Sequence, residues 1–279
     1  MRVKAVSFRT HYWRPGTDYA AQVTDRVQGR VEDNDIVAVS EKAISTASGQ
    51  IIDEAHVEPG RVARFLAGTW TRRLWGGPLG RITGLKDQTL LNLRSYPLHE
   101  GAAHKQVTLR TVGFLQSLRH YSEGGIDASN LPYSYVSLPL PDPGGAASRI
   151  REAIHARTGK AVTVVIVDGD TTFTWRSLHL AQRRVETPGL VHLGGFPVFI
   201  LGRVLRLRAR QTPVAVSGER LAPDRALWLA RLHHRLCGRG AGRTVWSMSS
   251  GLDTSLTGVT WEMLEAVDHF PITLIRFTG

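Results

Sequence analysis

Asp127, Asp168 and Asp170 are the residues of this sequence whose type and spacing suit a metal ion. Carboxylates without a nearby histidine or cysteine favour hard cations such as magnesium or manganese. Such ions commonly bridge protein carboxylates and the phosphates of a nucleotide. Asp168 and Asp170 are two apart, so on a straight strand they share a face, and at a strand-to-loop junction both converge on one ion. Asp-Gly-Asp is also a common loop triplet, so two turn-forming aspartates remain the competing reading. Asp127 belongs to Glu123-Gly124-Gly125-Ile126-Asp127-Ala128-Ser129-Asn130. Its two glycines let backbone approach a ligand closely. A polar loop between two rigid elements is where sites are usually built.

Other chemistries find less support. Gly238-Arg239-Gly240-Ala241-Gly242-Arg243-Thr244 lacks the lysine and the spacing of a Walker loop. It reads as a surface turn in preference to a phosphate cradle formed by backbone amides and Arg243. His233 and His234 are neighbours on a helix and point to different faces, which makes a poor metal pair. No Gly-x-Ser-x-Gly elbow occurs. The single cysteine, Cys237, excludes an internal disulfide and a cysteine-cluster zinc site within one chain. Arg206, Arg208 and Arg210 alternate as one face of a strand; that face suits nucleic-acid phosphates or a charge-protected edge equally. No nucleic-acid module pattern accompanies them.

The charge balance sharpens the class of partner. Lys plus Arg number 35 against 24 Asp plus Glu, a formal charge of +11. Such a surplus favours a polyanion: nucleic acid, a nucleoside triphosphate or a phosphorylated cofactor. The 279 residues suffice for one large domain or two modest ones with a real core. No run approaches the ~18 apolar residues of a membrane helix, and the N-terminus lacks a signal-peptide core. A cytoplasmic location is the expectation.

The elements that must hold these residues follow from periodicity. Residues 1–6 alternate like a strand. Thr17 is placed to cap a helix over 18–29 with Ala20, Val23 and Val27 on one face. Residues 35–40 read as a buried strand, followed by a small, polar stretch over 41–49. Pro59 opens a short helix with Val62, Ala63 and Leu66, and 70–84 reads as a loop. Residues 104–120 carry Val107, Thr111, Phe114, Leu115 and Leu118 on a helical stripe that leads into the Asp127 loop. Residues 135–140 read as a strand. Asp142-Pro143 starts a helix that Gly159 ends. The β-branched run 161–167 is a central strand with Asp168-Gly169-Asp170-Thr171 at its C-terminal end. Residues 204–210 read as a strand, 224–236 as a helix and 270–277 as a closing strand. No domain boundary is visible.

Several of these segments together resemble one family. Asp35 through Gly49 resembles the N-terminal strand-plus-loop of the coenzyme F-420:gamma-glutamyl ligases. Gly125-Ile126-Asp127-Ala128-Ser129-Asn130 resembles their Gly-Val-Asp-Ala-Ser-Asn motif. Asp142-Pro143 with its helix, and Val164 to Asp168 followed by Trp175-Arg176, are similar to the next two segments. The resemblance covers about 33–52 and 104–176 and is weak from Ser177 onward.

It implies an α+β, mixed-sheet protein of the gamma-glutamyl-ligase type, forming an intertwined homodimer. It implies ligation of L-glutamate, with GTP and Mg2+ or Mn2+, to an anionic carboxylate acceptor activated as an acyl phosphate. By the same resemblance Asp127 and Asp168 are metal ligands, with Asp170 as a substitute for the family's threonine at Gly169. Lys42, Ser45 and Asn130 are the implied nucleotide contacts. Glu41 and Thr46 stand where the family commonly has serine and lysine. A glutamate at 41 is expected to repel phosphates.

Overall fold

The computed structural model describes residues 2–121 and 123–278. Among them the strands are β1 (Arg2–Thr10), β2 (Ile36–Ser40), β3 (Ile51–Asp53), β4 (Tyr135–Ser137), β5 (Thr163–Trp175), β6 (Leu178–Ala181), β7 (Leu190–His192), β8 (Arg208–Ser217) and β9 (His269–Thr278). A seven-stranded mixed sheet runs β1-β9-β2-β5-β6-β7, with β8 paired to β5; β3 and β4 form a separate ribbon. The α+β, mixed-sheet expectation holds.

The sheet is apolar on both faces because helices cover both. Val37, Val39, Val164, Ile166 and Leu274 pack against Val23 and Val27 of helix Tyr19–Val27 and Ile150 and Ile154 of helix Pro143–Thr158. The alternate residues Ile36, Ala38, Val165, Val167 and Ile275 meet Ala226, Leu229 and Ala230 of helix Pro223–Leu236. The period-2 alternation of β2 and β5 thus feeds two cores. Each fully buried Val or Ile contributes about 1.5–3 kcal/mol.

β5 is the axis of the molecule. β8 pairs along one edge from Val164 to Thr174. The other edge is shared: β2 pairs in parallel with Thr163–Val167, and β6 antiparallel with Thr172–Trp175. Between them Asp168, Gly169, Asp170 and Thr171 have no strand on that edge. On the β8 side the register also slips there, from Asp168↔Thr212 to Thr171↔Gln211. β2 and β6 approach this gap head-on, so Glu41 and Arg183, just past their C-terminal ends, both reach it.

Several local expectations are corrected. Asp18, not Thr17, caps the first helix, accepting from the Ala20 and Ala21 amides; the Thr17 hydroxyl accepts from the Arg14 amide instead. Residues 41–47 form a helix, Glu41–Ala47, whose burial of Ala43, Ile44 and Ala47 the small-residue content disguised. Residues 70–84 are not a loop: a π-helix over Leu66–Trp75 and helix Pro78–Ile82 occupy them. The helix expected over 104–120 runs Leu98–Thr111. Gly113, at φ 88°, breaks it, which leaves Phe114 and Leu115 exposed on a short separate turn of helix. β5 does not end at Val167 but continues through the aspartates to Trp175. The expected arginine strand over 204–210 holds only from Arg208, where β8 begins; 204–207 are a helix end and turn. Arg206 has φ 51°, and Arg210 is buried against Asp224 and Thr174. No ladder is presented to nucleic acid. The closing strand is real, but it inserts between β1 and β2.

Candidate active site

The gap in β5 opens into a cavity of about 580 Å3 lined by Asp127, Asp168 and Asp170 on one side. Lys42, Asn130 and Thr46 line it as well, with Arg231, His234 and Arg235 of helix Pro223–Leu236. Arg239 and Arg243 of the glycine-rich turn complete the wall. The volume lies in the usual range for a small-molecule site.

The Asp127 loop is anchored by the ribbon. Asp127 exchanges backbone hydrogen bonds with Ser137 of β4, 3.2 and 2.9 Å long, and Ser137 Oγ donates to the same carbonyl. The Asp127 carboxylate caps its own turn, accepting from the Ser129 amide at 2.7 Å. Lys42 Nζ lies 2.5 Å from the other carboxylate oxygen and also donates to Ser129 Oγ and O at 2.9 and 3.0 Å. The first turn of helix Glu41–Ala47 and the Asp127 loop are therefore locked together. Ser45 lies behind this wall, fully buried with its hydroxyl unpartnered. The helix turns Ile44 and Ser45 inward, and Ala43 and Thr46 line the cavity instead.

Asn130 adopts φ 57°, a left-handed conformation that asparagine tolerates better than most residues. Its amide holds the glycine-rich turn: Nδ2 donates to Gly242 O at 2.8 Å, and Oδ1 accepts from Ala241 N at 2.7 Å. The turn over 238–244 is thus a wall of the cavity, not a free surface turn.

Glu41 does not face the cavity. It is buried at 2 % exposure and forms a two-point pair with Arg183, one contact to Nη1 and one of 2.9 Å to Nη2. It also accepts from the Leu140 amide at 3.1 Å. The expected repulsion of phosphates is overturned, because the charge is neutralised inside the protein. Arg183 Nη1 also reaches Asp168 Oδ2 at 2.7 Å. Burial opposes the charge on Arg183, but Glu41 and Asp168 outweigh it and raise the guanidinium pKa. Gly125 is glycine for a steric reason: at φ +96°, a Cβ there would lie 2.4 Å from Arg183 Nη1.

Asp170 is the least satisfied of the three aspartates. It is 3 % exposed, and neither carboxylate oxygen has a hydrogen-bond partner. Arg119 Nη1 stands 3.6 Å away. Burial, and then the Asp168 charge, push its pKa up to about 7 against the pull of Arg119 and Arg183. A buried carboxylate on a cavity wall with no hydrogen bond to either oxygen is what a hard cation would satisfy. Among the described residues no three acidic, histidine or cysteine side chains already converge as a metal cage. The donor set fits magnesium or manganese in type, with Asp127 and Asp168 at present held by Lys42 and Arg183.

Of the arginine wall, sequence reasoning weighs only Arg243 as a phosphate contact and misses the rest. Arg231 and Arg235 are one helical turn apart on the same face, and Arg239 and Arg243 continue the spacing of four through the turn. Among the described residues none of the four has a carboxylate within ion-pair distance. Burial, and then Arg243, lower the pKa of His234.

A second chamber of about 370 Å3 adjoins the first and shares Ile126, Asp127, Ser129 and Arg243 with it. Tyr96, Tyr121 and Trp246 line it, above a buried array in which His104 bridges Glu54 at 2.8 Å and Glu123 at 3.4 Å. Glu123 also holds the buried Lys105 at 2.7 Å. Burial opposes the charge on His104, but the two glutamates outweigh it and hold its pKa at about 10.

Comparison with known proteins places this geometry. An uncharacterized protein of Methanocaldococcus jannaschii is 31% identical over 284 residues, covering 98% of this chain and 96% of the relative. The coenzyme F420:L-glutamate ligase of Archaeoglobus fulgidus is 30% identical over 156 residues, 56% of this chain and 55% of that enzyme. The ligase of the same name from Methanopyrus kandleri is 27% identical over 158 residues, 56% and 54%. The match to the named ligases thus spans about half of each chain. Residues 7–186 match the family described as F420-0:Gamma-glutamyl ligase, a span that includes Lys42, Asp127, Asp168, Asp170 and Arg183 but not the arginine wall. The chain belongs to the F420-0:gamma-glutamyl ligase family.

Proposed function

We propose that this protein is a nucleotide- and metal-dependent amide ligase. It joins the amine of L-glutamate, or a related amino acid, to a carboxylate of a coenzyme F-420-like precursor. The observation that carries this reading is the cavity in which Asp127, Asp168 and Asp170 face Lys42 and four arginines without acidic partners. Carboxylates opposite a basic wall suit a metal-bound triphosphate, which carries both charges at once.

A free carboxylate and an amine do not form an amide without activation. In the proposed reaction the terminal phosphoryl group of GTP passes to the acceptor carboxylate and the nucleoside diphosphate leaves. The amine then attacks the acyl carbon, the bond to phosphate oxygen breaks, and the amine loses a proton as phosphate departs. Asp170 and Asp127, beside Asp168, would hold Mg2+ or Mn2+, which would supply charge neutralisation on the phosphates. Lys42 and the arginine wall bind and orient the triphosphate, and Asn130 sets the turn that carries Arg239 and Arg243. The adjoining chamber leaves room for a second substrate beside Asp127. The proposal includes a cytoplasmic homodimer; no helix among the described residues is long and apolar enough to cross a membrane.

The test is phosphate release from GTP or ATP with Mg2+ or Mn2+, glutamate and candidate carboxylate acceptors. Acceptor-stimulated release that Asp170→Asn abolishes is expected. No stimulation by any acceptor, with nucleotide binding unaffected by Asp170→Asn and Asp127→Ala, would overturn the ligase reading. That outcome would favour a non-catalytic nucleotide- or RNA-binding role.

A further inference from the structure

Three carboxylates around one phosphate site are enough to hold two divalent ions, the arrangement common in phosphoryl chemistry. Here the chain's own cations make close contacts to two of them, while Arg119 stands 3.6 Å from the third, Asp170, without a hydrogen bond. Lys42 contacts Asp127 at 2.5 Å, and Arg183 contacts Asp168 at 2.7 Å. Only Asp170 has both oxygens free of hydrogen bonds while nine-tenths buried.

The two cations are held very differently. Lys42 is on a flexible stem, its side chain 23% exposed, and its partner Asp127 is 40% exposed. Among the described residues the other contacts of Lys42 are only the Ser129 hydroxyl and carbonyl, so an entering phosphate can compete with Asp127 for it. Arg183 has no such freedom. Its side chain is 5% exposed, Glu41 grips it from behind at two points, and the bare α-carbon of Gly125 packs against its guanidinium. Glu41, in turn, is fixed by the Leu140 amide. The guanidinium therefore sits at the gap in β5 as a built-in counter-charge to Asp168.

We propose that Arg183 is a resident cation occupying the charge position of a second divalent ion, so that this chain binds one ion per site, at Asp170 with Asp127. The Glu41–Arg183 pair is then a unit: Glu41 neutralises and orients the arginine, and the arginine holds Asp168 out of the coordination set. This rests on the metal-dependent reading above and adds a stoichiometry to it. Arg183 is a positioning residue in this account, since it acts through Asp168.

The experiment counts Mn2+ by the loss of the free-ion electron paramagnetic resonance signal on titration. The full chain is used with a saturating β,γ-methylene analogue of GTP. One Mn2+ per chain is expected. The paired substitution Glu41→Gln with Arg183→Gln removes the cation without stranding the Glu41 charge, frees the Asp168 carboxylate, and is expected to admit a second Mn2+. Circular dichroism verifies that this variant is folded. Two ions in the unaltered protein would overturn the resident-cation role and leave the ligase reading standing. One ion in the folded double variant would also overturn it. No ion in either protein would overturn the metal-dependent reading as well. Should the double variant not fold, the count in the unaltered chain, one or two, decides the proposal.

Discussion

Asn130 and Gly242 are joined by a hydrogen bond of 2.8 Å although 112 positions separate them in the chain. Through it the Asp127 loop, inside the family match, holds a turn that lies outside it. Asn130→Ala removes this bond and the one to the Ala241 amide, and puts a less tolerant residue at φ 57°. A stability loss of about 1–3 kcal/mol is expected. Nucleotide affinity should weaken by about tenfold, or ~1.4 kcal/mol, because Arg239 and Arg243 lose their mounting. Asn130→Gly keeps the backbone permissive and should weaken nucleotide binding equally at lower structural cost. Calorimetric titration of the nucleotide checks both; unchanged affinity in Asn130→Gly would refute the tie between loop and turn.

The Glu41–Arg183–Asp168 chain predicts an asymmetry between single substitutions. Arg183→Ala strands Glu41 at 2 % exposure without its counter-charge, a loss of about 3–5 kcal/mol. Glu41→Ala leaves Arg183 still paired with Asp168 at 2.7 Å and should cost less. Denaturant midpoints of the two variants give the order directly, and the reverse order would contradict the geometry.

How much of this was legible in the sequence depends on the range of the signal. β2 and the core of β5 are β-branched and fully buried, so they stand out, as does the helix Pro143–Thr158 with Asp142 and Gly159 at its ends. The carboxylates drew notice because one lies in a glycine-rich loop and two at a strand end, although Asp-Gly-Asp alone reads equally as a turn. Ser45 shows the limit: its residue type suits a phosphate, but only the helix orientation reveals that it points inward. Glu41 was legible as a charge but not as half of a pair, since Arg183 lies 142 positions away. The arginines carried a local signal, a spacing of four from 231 to 243. It was masked because the helix reads first as leucine-driven and the turn as solvent-exposed. The continuation of β5 past Val167 was hidden by Asp-Gly-Asp, which locally looks like a turn and is tolerated because the sheet opens there.

His104 predicts a pH dependence of stability. Its folded pKa is about 10 against an ordinary value of 6.5, so the folded state holds the proton more tightly than the unfolded chain. The stabilisation is fully present below about pH 6.5 and is lost as pH rises to about 10. Unfolding free energy should therefore fall across that window, by an amount on the order of a few kcal/mol. His104→Gln should flatten the profile: it should be much less stable than the parent at pH 6 and close to it near pH 10. Urea unfolding at a series of pH values measures this. A parent profile flat from pH 7 to 10 would show that Glu54 and Glu123 do not hold the imidazolium.

The arginine wall predicts a separation of binding from stability. Arg235 is exposed and lines the cavity, so Arg235→Ala should change stability by no more than about 0.5 kcal/mol. Its loss removes one unpaired positive charge from the triphosphate's side, and KM for the nucleotide should rise by about five- to tenfold, ~1–1.4 kcal/mol. Arg231→Ala with Arg235→Ala should exceed either single change. The gap between parent and variant should narrow as salt is raised, because exposed charges more than about 8–10 Å from the phosphates are screened. Arg26 lies in the last turn of the helix Tyr19–Val27 and does not line the cavity. Arg26→Ala serves as the control that lowers net charge equally. If Arg26→Ala raised KM as much as Arg235→Ala, the effect would belong to the overall +11 charge and the wall would have no particular role in binding the triphosphate.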